Sequence, residues 1–420
     1  TRPGRTTMPS VLIVDDEAVN QQVLKNFLNK AIYRITQVLS GEEALQILDD
    51  DDSIDLVLLD VMMPRMSGYE VCQKIREKYL PSELPVLMIT AKNQVSDLVT
   101  GLNTGANDYI AKPFSKDEFL ARLNMHLSLH KINAASNRFV PNEFIRSLGH
   151  ESITDVRLGD HVEQVVTVLF ADIRDYTELA ESMTPAENFK FVSSYNQRMG
   201  PLVQKHKGFV NQYLGDGIMA IFTSSPEDAL RAAVAIQKEL SIYNEQRQEK
   251  GRQTIEVGIG LHTGSLIMGI IGDQKRMDAA TVSDTVNTAS RMEGLTKFYG
   301  TRILLSEYSL QLIENKADFN FRYLGKVQVK GKKAFTDIYE CFDGDADGSF
   351  NNKEQTLRVF EQGLYAYFNK DFDYTISSLT QVLSINPHDA PAQWFLEKAQ
   401  RYAQSGTPEN WEGVEFMKEK

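Results

Sequence analysis

The 420-residue sequence predicts a multidomain protein of α/β and α+β class. A doubly wound parallel sheet comes first, a larger α+β domain second and a short α-helical segment last. Three observations predict this. Short apolar runs ending in polar residues alternate with helical stretches over the first 115 residues, the pattern of a parallel sheet. From Val165 on, longer strands, glycine-marked hairpins and long helices follow one another in an α+β order. Gln355 to Ser405 carries helical patterning only. At roughly 150 residues per domain the length agrees with two or three domains.

Composition narrows the function classes. Apolar residues at 42% and charged residues at 24% exclude a chain that is disordered throughout. Lys plus Arg is 45 against 57 for Asp plus Glu, a net charge of −12, which argues against nucleic acid as a partner. Cys72 and Cys341 lie in separate regions. They exclude a disulfide scaffold and a cysteine zinc site and fit a reducing cytosol, so a cytoplasmic location is expected. No run of eighteen apolar residues occurs, so no membrane span is expected. Thr1 to Pro9 is polar and reads as a tag remnant or a frayed start.

In the first domain the strand candidates are SVLIVDD (10–16), DLVLLD (55–60), PVLMIT (85–90) and DYIAKP (108–113). Helical stretches at Glu42–Leu48, Gly68–Tyr79 and Val95–Asn103 separate them. Ligands of such sheets sit at the carboxyl ends of the strands. Those ends carry Asp15, Asp16, Asp60, Thr90 and Lys112. Converging carboxylates repel unless a cation joins them, and an all-oxygen set favours Mg²⁺. A metal beside Asp60 could neutralise an incoming phosphoryl group whose oxygens Lys112 and Thr90 hold. Any one of these acids alone would read as a helix cap or a solvated group.

Residues 10 to about 126 resemble a response-regulator receiver domain, on LIVDDE, LLDVMMPRMSGYE, the Thr of MIT and the Lys-Pro of AKPF. The resemblance implies a receiver over 10–128 that binds one Mg²⁺ or Mn²⁺ through Asp15, Asp16 and Asp60. Asp60 would accept phosphate from a histidine kinase. Thr90 and Tyr109 would be the switch residues, Lys112 would touch the phosphate, and the Lys112–Pro113 bond would be cis.

Residues 129–160 read as a helical linker. From Lys116 to Ala135, Phe119, Leu120, Leu123, Leu127, Leu129 and Ile132 have helical spacing. A long helix leaving a switch domain could pair in a dimer. Over Phe119 to Leu127 the reading is the receiver's own last helix, packed on its sheet. Pro141 interrupts any continuous coil.

The second domain, 161–342, opens with VVTVLFAD (165–172), a strand ending at Asp172. A helix over Thr184–His206, a hairpin of Gly208–Leu214 and Gly217–Phe222 around Asp216, and a helix over Pro226–Gln248 follow. Thr254–Gly272 reads as another hairpin and Asp284–Tyr299 as a third helix. Asp172 and Asp216 could bind a pair of divalent metals suited to in-line attack at phosphorus. Asn287 and Arg291, four apart, share a helix face and could hold a sugar and a pentacovalent phosphorus. Taken singly, these are turn aspartates and a polar helix face.

Together they resemble a class III nucleotidyl cyclase, on LFADIRDYT, YLGDGIMAIF, GIGLHTGSLIMGIIG, DTVNTASRMEGLTK and VKGK. The resemblance implies a ferredoxin-like domain holding two Mg²⁺ or Mn²⁺ ions on Asp172, Asp216 and the Ile173 carbonyl. Asn287 and Arg291 would serve the ribose and the transition state, and Lys330, with Lys332 close by, the triphosphate. It also implies a homodimer in which one subunit's aspartates face the other's Asn/Arg helix. The base-reading positions depart from the family, being Gln212 and Ala280. Gln212 can donate to adenine N1 and accept from N6, and a flipped amide could read guanine. The expected function is a phosphorylation-regulated cyclase of two-component signalling, converting ATP to 3',5'-cyclic AMP and pyrophosphate. The alternatives are a guanylate cyclase and a non-catalytic pseudo-cyclase scaffold. No P-loop occurs, and His262 reads as structural.

Asp343–Glu354 (DGDADGSFNNKE) fits a Ca²⁺-loop pattern but reads better as an acidic linker, since a strand leads into it. In 355–405, Gly363, Tyr367, Leu379 and Pro387 fall where a tetratricopeptide-like repeat places them, with Thr375 at an expected alanine. So short an array cannot bury a core alone, so it should pack on the cyclase or its partner chain, with Trp394 and Phe395 as core. Thr407 to Lys420 reads as a loose end.

Overall fold

The computed structural model describes residues 8–51, 53–91, 104–273, 276–328, 335–408, 411 and 413–415. The chain forms two compact units, residues 1–142 with 150–155, and residues 143–149 with 156–420.

The first unit is a five-stranded parallel sheet of order β2-β1-β3-β4-β5. Its strands are β1 (Ser10–Val14), β2 (Arg34–Val38), β3 (Leu56–Asp60), β4 (Val86–Thr90) and β5 (Asp108–Ala111). Alternate residues of β1 enter opposite cores, Leu12 and Val14 on one face and Val11 and Ile13 on the other, so the run had to be apolar throughout. Three helices cross between strands: α1 (Ala18–Phe27), α2 (Gly41–Asp50) and α3 (Gly68–Lys78). Ser40 caps α2, and Ser67 with Glu70 closes a capping box on α3. The expected helix at Val95–Asn103 lies outside the described residues. Helix α4 (Lys116–Ser136) buries Phe119, Leu123 and Leu127 in the core with β1 and β3, as the spacing predicts. Beyond them Leu129 and Ile132 are 56% and 67% exposed. A short helix, α5 (Asn142–Ser147), whose residues from Glu143 on are counted with the second unit, starts directly after Pro141.

The second unit is built on a nine-stranded mixed sheet. Its centre is β6 (His161–Ile173), paired along its whole length with β9 (Val257–Gly272) and on its other side with β8 (Gly217–Phe222). β7 (Phe209–Leu214) forms the edge beyond β8. After the short α6 (Tyr176–Glu181), α7 (Pro185–Lys205) and α8 (Pro226–Glu249) share a core with Leu169, Ala171 and Ile173 of β6. The expected hairpin inside Thr254–Gly272 is corrected: that segment is one long strand, and its partner is β10 (Met277–Val282). The glycines there serve close packing rather than a turn.

Helix α9 (Asp284–Tyr299), which has the predicted bounds, packs on the opposite face from α7 and α8. β11 (Ile303–Ser306), α10 (Glu307–Gln311), β12 (Phe321–Gln328) and β13 (Phe335–Cys341) complete the domain. His262 Nδ1 lies 2.7 Å from Ser306 Oγ, which agrees with a structural role.

The C-terminal segment is α11 (Asp347–Phe368), α12 (Phe372–Ile385) and α13 (Ala390–Ser405). Its Phe360, Tyr367, Leu379 and Phe395 form one core with Met292 and Tyr299 of α9 and Leu324 and Ile338 of the sheet. Trp394 packs edge-on to Tyr299, with centroids 5.7 Å apart. The expected acidic linker at 343–354 is in part helix: α11 already starts at Asp347, Asp343 accepts from Asn320, and Asp345 pairs with Lys353. The loose end is corrected too. Trp411 is buried in the helical core and β14 (Val414–Glu415) runs parallel to β12.

A buried ionic network ties these helices to the sheet. Arg322 of β12, 1% exposed, contacts Glu340 through Nε and grips Asp389, the N-cap of α13, with both terminal nitrogens at 2.7 and 2.9 Å. Lys353 of α11 reaches Glu340 at 2.6 Å and Asp345 at 2.7 Å, and the Arg322 guanidinium lies over the Phe360 ring at 4.3 Å. Removing one partner from such a network strands buried charge. Arg322→Ala should therefore destabilise this unit by about 3–5 kcal/mol, read as a lower urea midpoint for its unfolding. A change within 0.5 kcal/mol or so, the range of ordinary surface substitutions, would show that the network is not a structural tie.

Candidate functional site

In the first unit, register places the ends of β1, β3, β4 and β5 side by side, and the predicted residues meet there. Asp15 and Asp60 are 1% and 6% exposed. Lys112 Nζ bridges them, 2.8 Å from Asp60 Oδ1 and 3.4 Å from Asp15 Oδ2. Asp60 Oδ2 accepts from the Met62 N–H at 2.8 Å, and Asp15 Oδ1 from the Glu17 N–H at 2.9 Å. Burial pushes the Asp60 carboxyl above the ordinary range, against the pull of Lys112. Asp16 is half-buried, Thr90 and Tyr109 are buried, and Lys112–Pro113 is cis as expected. Two buried carboxylates thus share one ammonium, and that shortage of positive charge is what a divalent ion would fill.

In the second unit, Asp172 lies opposite Gly258 of β9, beside the row where Ala171 faces Ile218 of β8. Asp216 sits in the turn between β7 and β8, behind Gly215 at φ +72°. Asp172 is half-buried, and Asp216 stands near enough to act on its carboxyl. Burial first, and then the Asp216 charge, push Asp172 up to about 7. Such a pair suits divalent ions, which displace the proton that Asp172 holds. Among the described residues no group of three or more His, Cys, Asp or Glu side chains forms a metal cluster. The Ile173 side chain is buried on the α7–α8 face, which leaves its carbonyl as what it could offer.

Asn287 is exposed and Arg291 half-buried on α9, whose Thr285, Ala289, Met292 and Thr296 are buried. Gln212 is exposed on β7, next to an irregularity in its pairing with β8, and Ala280 is half-buried on β10. Lys330 and Lys332 lie outside the described residues. Sequence reasoning missed Glu293, which falls within the quoted string DTVNTASRMEGLTK. Burial, and then the Asp172 charge, raise its carboxyl to about 7. It missed Arg174 as well. Arg174 Nη1 binds Glu256 at 3.0 Å, and Nη2 donates to the Thr296 and Thr301 carbonyls at the end of α9.

Known families divide the chain in the same way. Residues 11–124 match the response regulator receiver domain, and residues 160–340 match the adenylate and guanylate cyclase catalytic domain. An adenylate cyclase of Anabaena cylindrica is 37% identical over 57% of this chain and 49% of its own length. A terminal-differentiation specific adenylate cyclase of Dictyostelium discoideum is 30% identical over 64% of this chain and 13% of its own. The chain thus spans half or less of the length of these relatives. The solved guanylyl cyclase Cya2 shares 32% identity over 43% of this chain and 92% of that one, with a TM-score of 0.39.

The raised Asp172 carboxyl sets a pH dependence. Between its ordinary value of 3.8 and about 7, the folded protein holds a proton that the unfolded chain has lost. Stability should therefore fall as pH rises through that window. In chelator, the melting midpoint of the wild-type chain should drop more between pH 5 and pH 8 than that of Asp172→Asn. Parallel curves would remove the coupled-pair assignment.

Proposed function

We propose that this chain, which carries a receiver domain and a class III cyclase domain, is a cyclase controlled by phosphorylation of Asp60. In the reaction the ATP 3'-hydroxyl attacks the α-phosphorus, its proton is lost, pyrophosphate leaves, and 3',5'-cyclic AMP forms. The observation that carries this reading is the approach of Asp172, at the end of β6, to the β7–β8 turn that bears Asp216, where a Cβ at Gly217 would lie 3.1 Å from Asp172 Oδ1. Asp172, Asp216 and the Ile173 carbonyl would hold two divalent ions, Mg²⁺ or Mn²⁺, supplying charge neutralisation for in-line attack. Asn287 would orient the ribose, Arg291 would stabilise charge gathering on phosphorus, and Lys330 would receive the triphosphate. ATP is favoured over GTP because the neutral Gln212 amide suits adenine and because the two relatives described above are named adenylate cyclases.

The chain acts as a homodimer in this reading. Support comes from apolar side chains left exposed on the β7–β8 and β9–β10 hairpins: Tyr213, Leu214, Ile267, Ile271, Met277 and Val282. The receiver spans 10–128, the linker 129–160, the cyclase domain 161–342 and a tetratricopeptide-like segment 355–405. The contact of Gly363 with Ser378 and Leu379 across α11 and α12 supports the last. A histidine kinase is the phosphodonor, and Lys112 already stands 2.8 Å from the acceptor carboxylate.

Purified protein given ATP and GTP in turn with Mn²⁺ should yield cyclic AMP, identified by mass. Cyclic GMP instead would reassign the base, and no cyclic product would leave a scaffold. Asp172→Ala and Arg291→Ala should each be inactive, and mixing the two chains should restore partial activity. A dead mixture that contains heterodimers would refute the shared site.

Beryllofluoride, as a stand-in for the phosphoryl group, should change the cyclase rate roughly five- to hundred-fold in the wild-type chain, and Asp60→Asn should not respond. Equal rates in all states would remove the regulatory half of the reading.

A further inference from the structure

Helix α9 crosses β9 at two glycines. A Cβ at Gly260 would overlap the Glu293 backbone nitrogen, and a Cβ at Gly258 would lie 2.9 Å from Glu293 Oε1. Gly258 is the direct partner of Asp172 across the β6–β9 ladder. Directly opposed residues of an antiparallel pair project to the same face, with Cβ positions about 4.5–5.5 Å apart. The space left by the missing side chain of Gly258 is taken by the Thr296 hydroxyl and bordered by the Glu293 carboxylate, on the face to which Asp172 points. At Gly217, next to Asp216, a Cβ would be 3.1 Å from Asp172 Oδ1, so this corner of the sheet is cleared on two sides.

Among the described residues the Glu293 carboxylate has no hydrogen-bond or ion-pair partner. A carboxylate that served only packing or a tertiary tie would have one. Its electrostatic neighbours are Asp172, Arg174 and Asp216. The Arg174 guanidinium is itself engaged by Glu256 and by two backbone carbonyls. Three carboxyl groups therefore lie near one cation whose terminal nitrogens are already engaged.

We propose that Glu293 is a positioning residue for the divalent ions of its own chain, a third carboxylate that raises cation occupancy of the Asp172–Asp216 pair without belonging to the Asn287–Arg291 face. The proposal rests on the two-aspartate reading of the site. Glu293 is six residues from Asn287, about 240° round the helix, so one helix would serve two tasks. Its inner flank adds charge behind its own metal pair, while its outer flank presents Asn287 and Arg291.

The test is Mn²⁺ binding by the full-length, nucleotide-free protein, followed by electron paramagnetic resonance. The cyclase share of binding is the part lost in Asp172→Ala. Glu293→Gln should weaken that share about tenfold, the size expected for one charge acting on a divalent ion a few ångströms away in a partly solvated site. Glu293→Asp should recover part of the loss. The melting midpoint of Glu293→Gln should not fall, because the variant removes a carboxylate that burial disfavours.

Wild-type affinity in Glu293→Gln, with Asp172→Ala still deficient, would overturn the Glu293 role and leave the two-aspartate site standing. Loss of affinity together with a lower melting midpoint and no rescue by Asp would make Glu293 structural and also overturn the role. No difference between wild type and Asp172→Ala would sink the two-aspartate reading and the role with it.

Discussion

The catalytic-side architecture depends on one close approach, that of α9 onto Gly258 and Gly260 of β9. With no side chain at either position, the helix backbone lies against the strand, nearer than any Cβ would allow. This contact fixes the rotation of α9 about its own axis. Glu293 is thereby turned toward Asp172, Asn287 is left in solvent, and Tyr299 is directed into the core shared with the C-terminal helices. A larger residue at Gly260 would displace all three groups at once, because a rigid helix cannot shift one face alone.

That dependence explains why the C-terminal segment is part of the second unit rather than an appendage. Tyr299 ends α9, and Trp394 and Phe395 of α13 pack on it. The Arg322–Asp389 pair then fixes the start of α13 against β12. Apolar contacts of this kind are permissive about angle, whereas a bidentate guanidinium–carboxylate pair is not. Buried ion pairs are weak evidence for net stability, since desolvation offsets much of their attraction. Their contribution here is orientation. They select one seating of three helices on the sheet, and through Tyr299 that seating reaches the helix bearing Asn287 and Arg291.

Much of this was legible in the sequence, because local signals and tertiary roles coincide at the strand ends. Apolar runs that stop at Asp15, Asp60, Thr90 and Asp172 announce both a buried strand and a polar edge, and helix 284–299 has the predicted bounds. Legibility failed where the deciding partner is distant in the chain. Glu293 reads as one more polar residue of a helix until Gly258 is seen beneath it. The glycines of 257–272 read as turn residues, although they are the floor on which α9 rests. The acids of 343–354 match a calcium pattern in spacing alone, while Asn320 and Lys353 had already claimed Asp343 and Asp345. Trp411 looked terminal and loose because nothing local shows the aromatic cluster that receives it.

The two units share a design and differ in its resolution. Each gathers carboxylates at the ends of buried strands, where desolvation raises the cost of charge. In the first unit a lysine just past the end of β5 supplies an internal counter-ion, so Asp15 and Asp60 are partnered before any metal or phosphate arrives. In the second unit no lysine or arginine is paired with Asp172 among the described residues, and burial with the nearby Asp216 charge favours its protonated form. A site balanced by an ammonium is ready to exchange one anion arrangement for another, as a switch requires. A site balanced by a proton is poised to give that proton up to a divalent ion, as chemistry at phosphorus requires.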